Sequence, residues 1–139
     1  METAAQRAGR RVDDITLISV SKTHQVSLLR EAVNAGATVF GENKVQEAEG
    51  KIAELGRERL EWHLIGHLQS NKARKAVRLF DYIHTVDSLE LAERLERICS
   101  EEGRAGLSVF LQVDLAGEAT KNGVRPAELP RLVEFAADC

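Results

Sequence analysis

The sequence has 139 residues, of which 43% are apolar, enough for one ordinary globular domain with its own core. Charged residues make up 29% and the formal net charge is −3, so the overall field favours neither nucleic acid nor an anionic membrane surface. Cys99 and Cys139 are too few for a secreted disulfide scaffold, and no segment reads as a signal peptide or a membrane span, so we expect a cytoplasmic protein.

Short β-rich runs alternate along the chain with longer helical segments. Gly36 should end the first of these helices, and Asp87 with Glu90 resembles a capping box at the start of the fourth. Five βα units without a hairpin signal predict parallel strands joined by right-handed crossovers, in an α/β barrel or a doubly wound sheet. The predicted strands are 15–20, 38–40, 62–65, 81–86 and 107–115, and the predicted helices are 26–35, 45–55, 70–79, a segment holding Leu91, Leu95 and Ile98, and 126–137.

Lys22 directly follows the first predicted strand and should therefore lie at its carboxyl end. In parallel α/β proteins this is the functional edge of the sheet. A lysine amine at that edge can attack an aldehyde to form a Schiff base. From position alone, a solvated surface lysine is the simpler interpretation.

Several segments, in a consistent order, resemble those of a known family and favour a functional role for Lys22 over a surface lysine. They are residues 20–23 (VSKT), 40–43 (FGEN), 62–72 (WHLIGHLQSNK), 86–88 (VDS) and 118–123 (EATKNG). Together they resemble the pyridoxal-phosphate homeostasis protein family, whose barrel is similar to the N-terminal domain of alanine racemase. The resemblance implies a parallel (β/α) barrel of the TIM type and pyridoxal 5′-phosphate held as a Schiff base on Lys22.

The length of the chain limits how much of such a barrel it can form. A complete (β/α)₈ barrel takes about 250 residues, and five of the eight units are predicted here. We therefore expect residues 1–139 to be a partial pyridoxal-phosphate-binding barrel, truncated at its C-terminus. Barrel phosphate sites are usually built after strands seven and eight, so cofactor affinity should be poor without them. Open strand edges should also favour self-association.

Asn43 and His67 follow the second and third predicted strands, so in a barrel both would point into the same mouth as Lys22. The family resemblance implies that they line the pyridoxal pocket. Taken alone, Asn43 is equally well explained as the N-cap of the following helix, and both roles stay open.

The remaining polar residues give weaker signals. His63 and His67 lie along a strand and its exit, where four residues span roughly 13 Å, too far for one metal ion, so no metal site is predicted and His63 is expected inside the core or barrel. The helix after His67 carries a basic cluster without interleaved aromatics, so a solvated face is favoured and nucleic acid is an unlikely partner. The cluster consists of Lys72, Arg74, Lys75 and Arg78.

Two positions near the fifth strand complete the comparison with the family. Lys121 and Gly123 match a family segment, although an ordinary loop lysine explains Lys121 as well. Asp114 stands where Asn is expected, and a carboxylate near the cofactor would change the local charge balance.

The resemblance implies a cofactor carrier or regulator of intracellular pyridoxal-phosphate and amino-acid homeostasis, for which no catalysis is firmly assigned. The alternatives are an amino-acid racemase-like enzyme and a truncated fragment that binds no cofactor. A racemase needs a second acid or base opposite the cofactor, and Tyr82, the single tyrosine, falls at the start of strand four, the wrong end. Binding is therefore favoured over turnover.

Overall fold

The computed structural model describes residues 1–117 and 122–139. The predicted alternation of strands and helices is confirmed. The strands are β1 (Ser19–Val20), β2 (Val39–Glu42), β3 (Glu61–Leu64), β4 (Tyr82–Val86) and β5 (Ser108–Leu111). The helices are α1 (Glu2–Arg7), α2 (Val26–Asn34), α3 (Val45–Leu55), α4 (Ala73–Leu79), α5 (Leu89–Glu102) and α6 (Leu129–Ala137), with 3₁₀ turns at Val12–Asp14 and Ser70–Lys72.

The five strands form one parallel sheet in the order β1-β2-β3-β4-β5. Each helix from α2 to α6 contacts the next, so the helices form a row. A doubly wound sheet reverses its strand order at a switch point, whereas a barrel adds each strand beside the preceding one. The observed order is that of a partial barrel, which confirms the predicted fold class.

The core lies between the sheet and this row of helices. Phe40, Trp62, Leu64 and Ile83 are almost fully buried on the helix-facing side of the sheet, and the Phe40 and Trp62 rings stack with centroids 5.4 Å apart. Burying each such apolar side chain contributes about 1.5–3 kcal/mol. Because side chains alternate across a strand, the residues between these lie on the opposite face, the interior of a barrel.

Two helix ends test the predicted caps. Gly36 follows α2 with φ +98°, a conformation that glycine adopts easily, so the prediction that it ends the helix is confirmed. The cap of α5 is Ser88 and not Asp87, since the Ser88 hydroxyl accepts a hydrogen bond of 3.2 Å from the Leu91 amide. Asp87 is turned towards His67 instead.

The first and last strands are shorter than predicted. Only Ser19 and Val20 of the predicted strand 15–20 form strand pairs, with Phe40 and Gly41. Because β2 begins at Val39, residues 15–17 have no residue of β2 opposite them. Beyond β5, an isolated parallel bridge joins Val113 and Val124. Helix α6 begins at Leu129 rather than 126, with Pro130 in its first turn, where a missing N–H is tolerated.

Candidate functional site

Lys22 lies just past the carboxyl end of β1, as predicted, and its side chain is exposed. The register places Val20 opposite Gly41, and Gly41 opposite His63. Lys22 and Asn43 each follow two residues later, so they leave neighbouring strands at the same level. The geometry therefore brings these two predicted site residues to one edge of the sheet.

Asn43 does not cap the helix that follows it. The N-cap of α3 is Lys44, and no side chain caps this end of the helix. The Asn43 backbone lies against Gly66, at which an added Cβ would approach the Asn43 carbonyl oxygen to 2.2 Å. The capping interpretation is wrong, and Asn43 is a half-buried residue in the turn beside the Lys22 edge.

His67 lies beyond the carboxyl end of β3. Its Nδ1 is 3.3 Å from Asp87 Oδ2, and Asp87 follows the end of β4. The imidazole is 44% exposed and the carboxylate 14% exposed. His67 is thus tied to the end of the neighbouring strand, an interaction that the sequence pattern did not predict.

A chain of hydrogen-bonded side chains runs across the barrel-interior face of the sheet. His63 Nε2 is 2.7 Å from Glu61 Oε1, and His63 Nδ1 is 2.8 Å from His84 Nε2. The rings of Tyr82 and Phe110 cover it, with the Tyr82 and His63 centroids 4.4 Å apart and the His84 and Phe110 centroids 4.6 Å apart. The prediction that His63 is a hydrogen-bonded interior residue is confirmed.

The protonation of this chain follows from its partners. Burial, and then the neighbouring His63, lowers the pKa of His84 below its ordinary value of 6.5, so His84 is neutral at pH 7. A carboxylate only accepts hydrogen bonds, so His63 Nε2 donates to Glu61. Of His63 Nδ1 and His84 Nε2, 2.8 Å apart, one nitrogen donates the hydrogen bond and the other accepts it.

The backbone around Lys22 contacts a polar cluster formed by the buried Ser21, Glu42 and Lys51 and the partly buried Glu47. Sequence reasoning missed it. The available signals were the Glu47–Lys51 spacing of four residues on α3 and the position of Lys51 beside the buried Ala48 and Ile52.

Arg74, Lys75 and Arg78 of the basic cluster lie on α4 and contact acidic side chains, while Lys72 ends the 3₁₀ turn before this helix. Arg78 and Arg74 contact Glu102, Arg74 also contacts Glu101, and Lys75 contacts Glu49 at 2.7 Å. Hydrogen bonds from the Arg78 guanidinium and, to a smaller extent, from that of Arg74 lower the pKa of the Glu102 carboxyl to about 2. These pairs lie on an exposed face, as the sequence pattern indicated.

The loop after β5 is described only in part. Lys121 lies outside the described residues. Asp114 uses its carboxylate within the loop, where Oδ1 accepts hydrogen bonds of 3.1 Å from the Ala116 amide and 2.9 Å from the Gly117 amide.

Among the helices described within residues 1–117 and 122–139, none has the length and apolar character that a membrane span requires.

Comparison with known families adds independent evidence. The sequence profile described as "Alanine racemase, N-terminal domain" matches residues 2–139. The pyridoxal phosphate homeostasis protein of Pseudomonas aeruginosa is 48% identical over 134 residues, which cover 94% of this chain and 56% of that protein. Its namesake in Escherichia coli K12 is 44% identical over 141 residues, which cover 99% of this chain and 60% of that protein. The chain thus spans little more than half the length of these relatives.

Solved structures give the same picture. PipY of Synechococcus elongatus with pyridoxal phosphate bound has a TM-score of 0.79 and 49% identity, covering 96% of this chain and 63% of PipY. An alanine racemase of Clostridium difficile has a TM-score of 0.70 at 18% identity, covering 92% of this chain and 33% of the racemase, and shares the fold. The resemblance drawn from the sequence motifs is confirmed.

Proposed function

Since this chain belongs to the alanine racemase N-terminal domain family, we propose that it binds pyridoxal 5′-phosphate through a Schiff base on Lys22. The observation that carries the proposal is the match to PipY with the cofactor bound, at 49% identity over 96% of this chain. The exposed Lys22 amine at the carboxyl edge of the sheet supports the same assignment.

The residues present fit this cofactor at its aldehyde end. Lys22 would hold the cofactor through its side-chain amine, and the aldehyde would supply the carbon to which that nitrogen bonds, with release of one water. Asn43 and His67 are proposed to line the pocket, Asn43 beside Lys22 and His67 held by Asp87. When bound, the cofactor supplies an electron sink to amines that exchange with the lysine.

Binding rather than turnover is the proposed role, within intracellular pyridoxal-phosphate and amino-acid homeostasis. The names of the relatives support the homeostasis role. The position of Tyr82 supports binding, because it is the first residue of β4, at the amino end of the strand, and its ring is stacked on His63.

The test is a pyridoxal-phosphate titration followed by borohydride trapping and peptide mapping. We expect the wild type to carry the reduced adduct on Lys22 in preference to its other lysines, and Lys22→Ala to carry no such preferred adduct. Lys44→Ala is the matched control, since it removes an exposed lysine at the same edge of the sheet.

The other outcomes separate the alternative functions. Adduct scattered over surface lysines in both wild type and Lys22→Ala would contradict the proposal and indicate a fragment that does not bind the cofactor. Deuterium uptake at the α-carbon of an added amino acid, dependent on Lys22, would favour a racemase-like enzyme instead.

A further inference from the structure

We infer that Glu42, Glu47 and Lys51 are positioning residues that fix the main chain on both sides of Lys22. The inference rests on the proposed function for the chemistry of Lys22. The contacts that hold the loop are independent of it, because Lys22 itself takes no part in them.

Lys51 is the centre of the cluster. Its side chain is 6% exposed, and Nζ donates hydrogen bonds of 2.7 Å to the Ser21 carbonyl oxygen, to Glu42 Oε1 and to Glu47 Oε1. A lysine ammonium has three donors, so all are used. One of the three goes directly to the residue before Lys22.

The carboxylates of Glu42 and Glu47 bind the residues on either side of Lys22. Glu42, fully buried at the end of β2, accepts a hydrogen bond of 2.6 Å from the Ser21 hydroxyl. Glu47 Oε1 accepts a hydrogen bond of 2.6 Å from the Thr23 amide. The residues before and after Lys22 are therefore both tied to the same Lys51 ammonium, by carboxylates from β2 and α3.

Thr23, which these hydrogen bonds hold, has an unusual backbone conformation. Its φ is +67°, the left-handed region, and it is the only described non-glycine residue with positive φ. A β-branched residue seldom adopts this conformation, so surrounding contacts must hold it. The Glu47 carboxylate supplies such a contact. Hydrogen bonds from Lys51 and, to a smaller extent, from the Thr23 amide lower the pKa of Glu47 below 4.5, so this carboxyl is ionised at neutral pH.

Stability alone gives a weak reason for this arrangement. Buried ion pairs contribute little net stability relative to apolar side chains of similar size, because desolvation opposes the attraction. Within the described residues, Glu42 Oε2 is buried without a partner, so the cluster is not fully satisfied. Its clearest consequence is a fixed main-chain position for Lys22 at the edge of the sheet.

The test compares Glu47→Ala, Glu47→Gln and Glu49→Ala. Glu47 is 28% exposed, so its replacement should leave the core intact, and Glu49 is a matched control on the same helix that pairs with Lys75. In Glu47→Ala we expect hydrogen exchange at the Thr23 amide to rise about tenfold, as for the loss of a hydrogen bond to a charged group. The share of borohydride-trapped adduct on Lys22 should fall in parallel.

The remaining arms decide between positioning and general stabilisation. Glu47→Gln keeps a side-chain oxygen acceptor and should restore much of both readouts, while Glu49→Ala should match the wild type. Faster Thr23 exchange with unchanged Lys22 labelling would overturn the inference, as would wild-type values of both in Glu47→Ala. If wild-type adduct does not form on Lys22, the proposed function fails, and the exchange measurement still tests the hold on the loop.

Discussion

Gly66 is a residue whose missing side chain fixes the geometry of the candidate site. A Cβ there would lie 2.2 Å from the Asn43 carbonyl oxygen, which is backbone and cannot turn aside, while the Gly66 carbonyl accepts a 2.8 Å hydrogen bond from the Thr85 hydroxyl. We predict that Gly66→Ala lowers the free energy of unfolding by about 1–3 kcal/mol, as forced overpacking does.

Chemical denaturation of Gly66→Ala beside Gly50→Ala measures this effect. Gly50 lies within α3, where an added Cβ would meet nothing within 4 Å, so alanine there should stabilise by up to about 1 kcal/mol. Equal stabilities for the two variants would contradict the close approach of Gly66 to Asn43.

Single residues also show where sequence reasoning succeeded and failed at the site. The strand pattern before Lys22 was enough to predict its place at the carboxyl edge. The predicted helix 45–55 already placed its N-cap at residue 44 and so excluded Asn43 as the cap, whereas the contact between the Asn43 backbone and Gly66 follows only from the packing of the two turns. Lys51 carried the charge typical of an exposed helix face, and only the packing of α3 against the strand end buries it.

The pairing of α4 with α5 gives a pH dependence at the level of whole elements. Arg78 and Arg74 on α4 lower the pKa of Glu102, at the end of α5, from 4.5 to about 2. A carboxyl whose folded pKa is lowered stabilises the protein above its unfolded pKa, and this contribution is lost as the pH falls through the folded value. The contribution of Glu102 is therefore complete above pH 4.5 and disappears towards pH 2.

We predict that Glu102→Gln is less stable than the wild type at pH 7 and that the difference shrinks below pH 4.5. The effect should be small, since exposed ion pairs contribute little. Urea unfolding of both proteins between pH 7 and pH 3 measures it, with exposed Glu93→Gln on the same helix as the control. A difference that stays constant with pH would argue against the ion pairs.

The types and order of the helices and strands were predictable, because the spacing of apolar residues and the positions of glycines are local features of the sequence. Element lengths were not, since a strand ends where its neighbour stops offering hydrogen bonds. The predicted strand 15–20 loses its first residues for this reason, although Ile18 still packs over Gly41. The barrel order of the strands became clear only from the pairing itself.

Large apolar side chains are exposed at both edges of the sheet and just outside them. Val20 and Phe110 are 49% and 52% exposed, and Leu17 and Leu115 are exposed more fully. Among the described residues, β1 and β5 are each paired on one side only. Exposed apolar surface beside open strand edges favours association of chains.

We therefore predict that the 139-residue chain self-associates at micromolar concentration. Sedimentation velocity across a concentration series, with thermal melts, measures this. Phe110→Ser should shift the distribution towards monomer, whereas Glu93→Gln should leave it unchanged. A monomeric wild type that melts cooperatively at every concentration would count against the prediction.

The strand order also sets how the chain can reach this structure. Paired residues in the sheet are separated by only 19 positions from His63 to Tyr82 and 26 from Tyr82 to Ser108. Each described strand pairs with the strand next to it in the sequence, so the loop that each pairing closes is short and its entropy cost is modest. The sheet can therefore grow during synthesis, one strand and its helix at a time, with each finished unit serving as the template for the next.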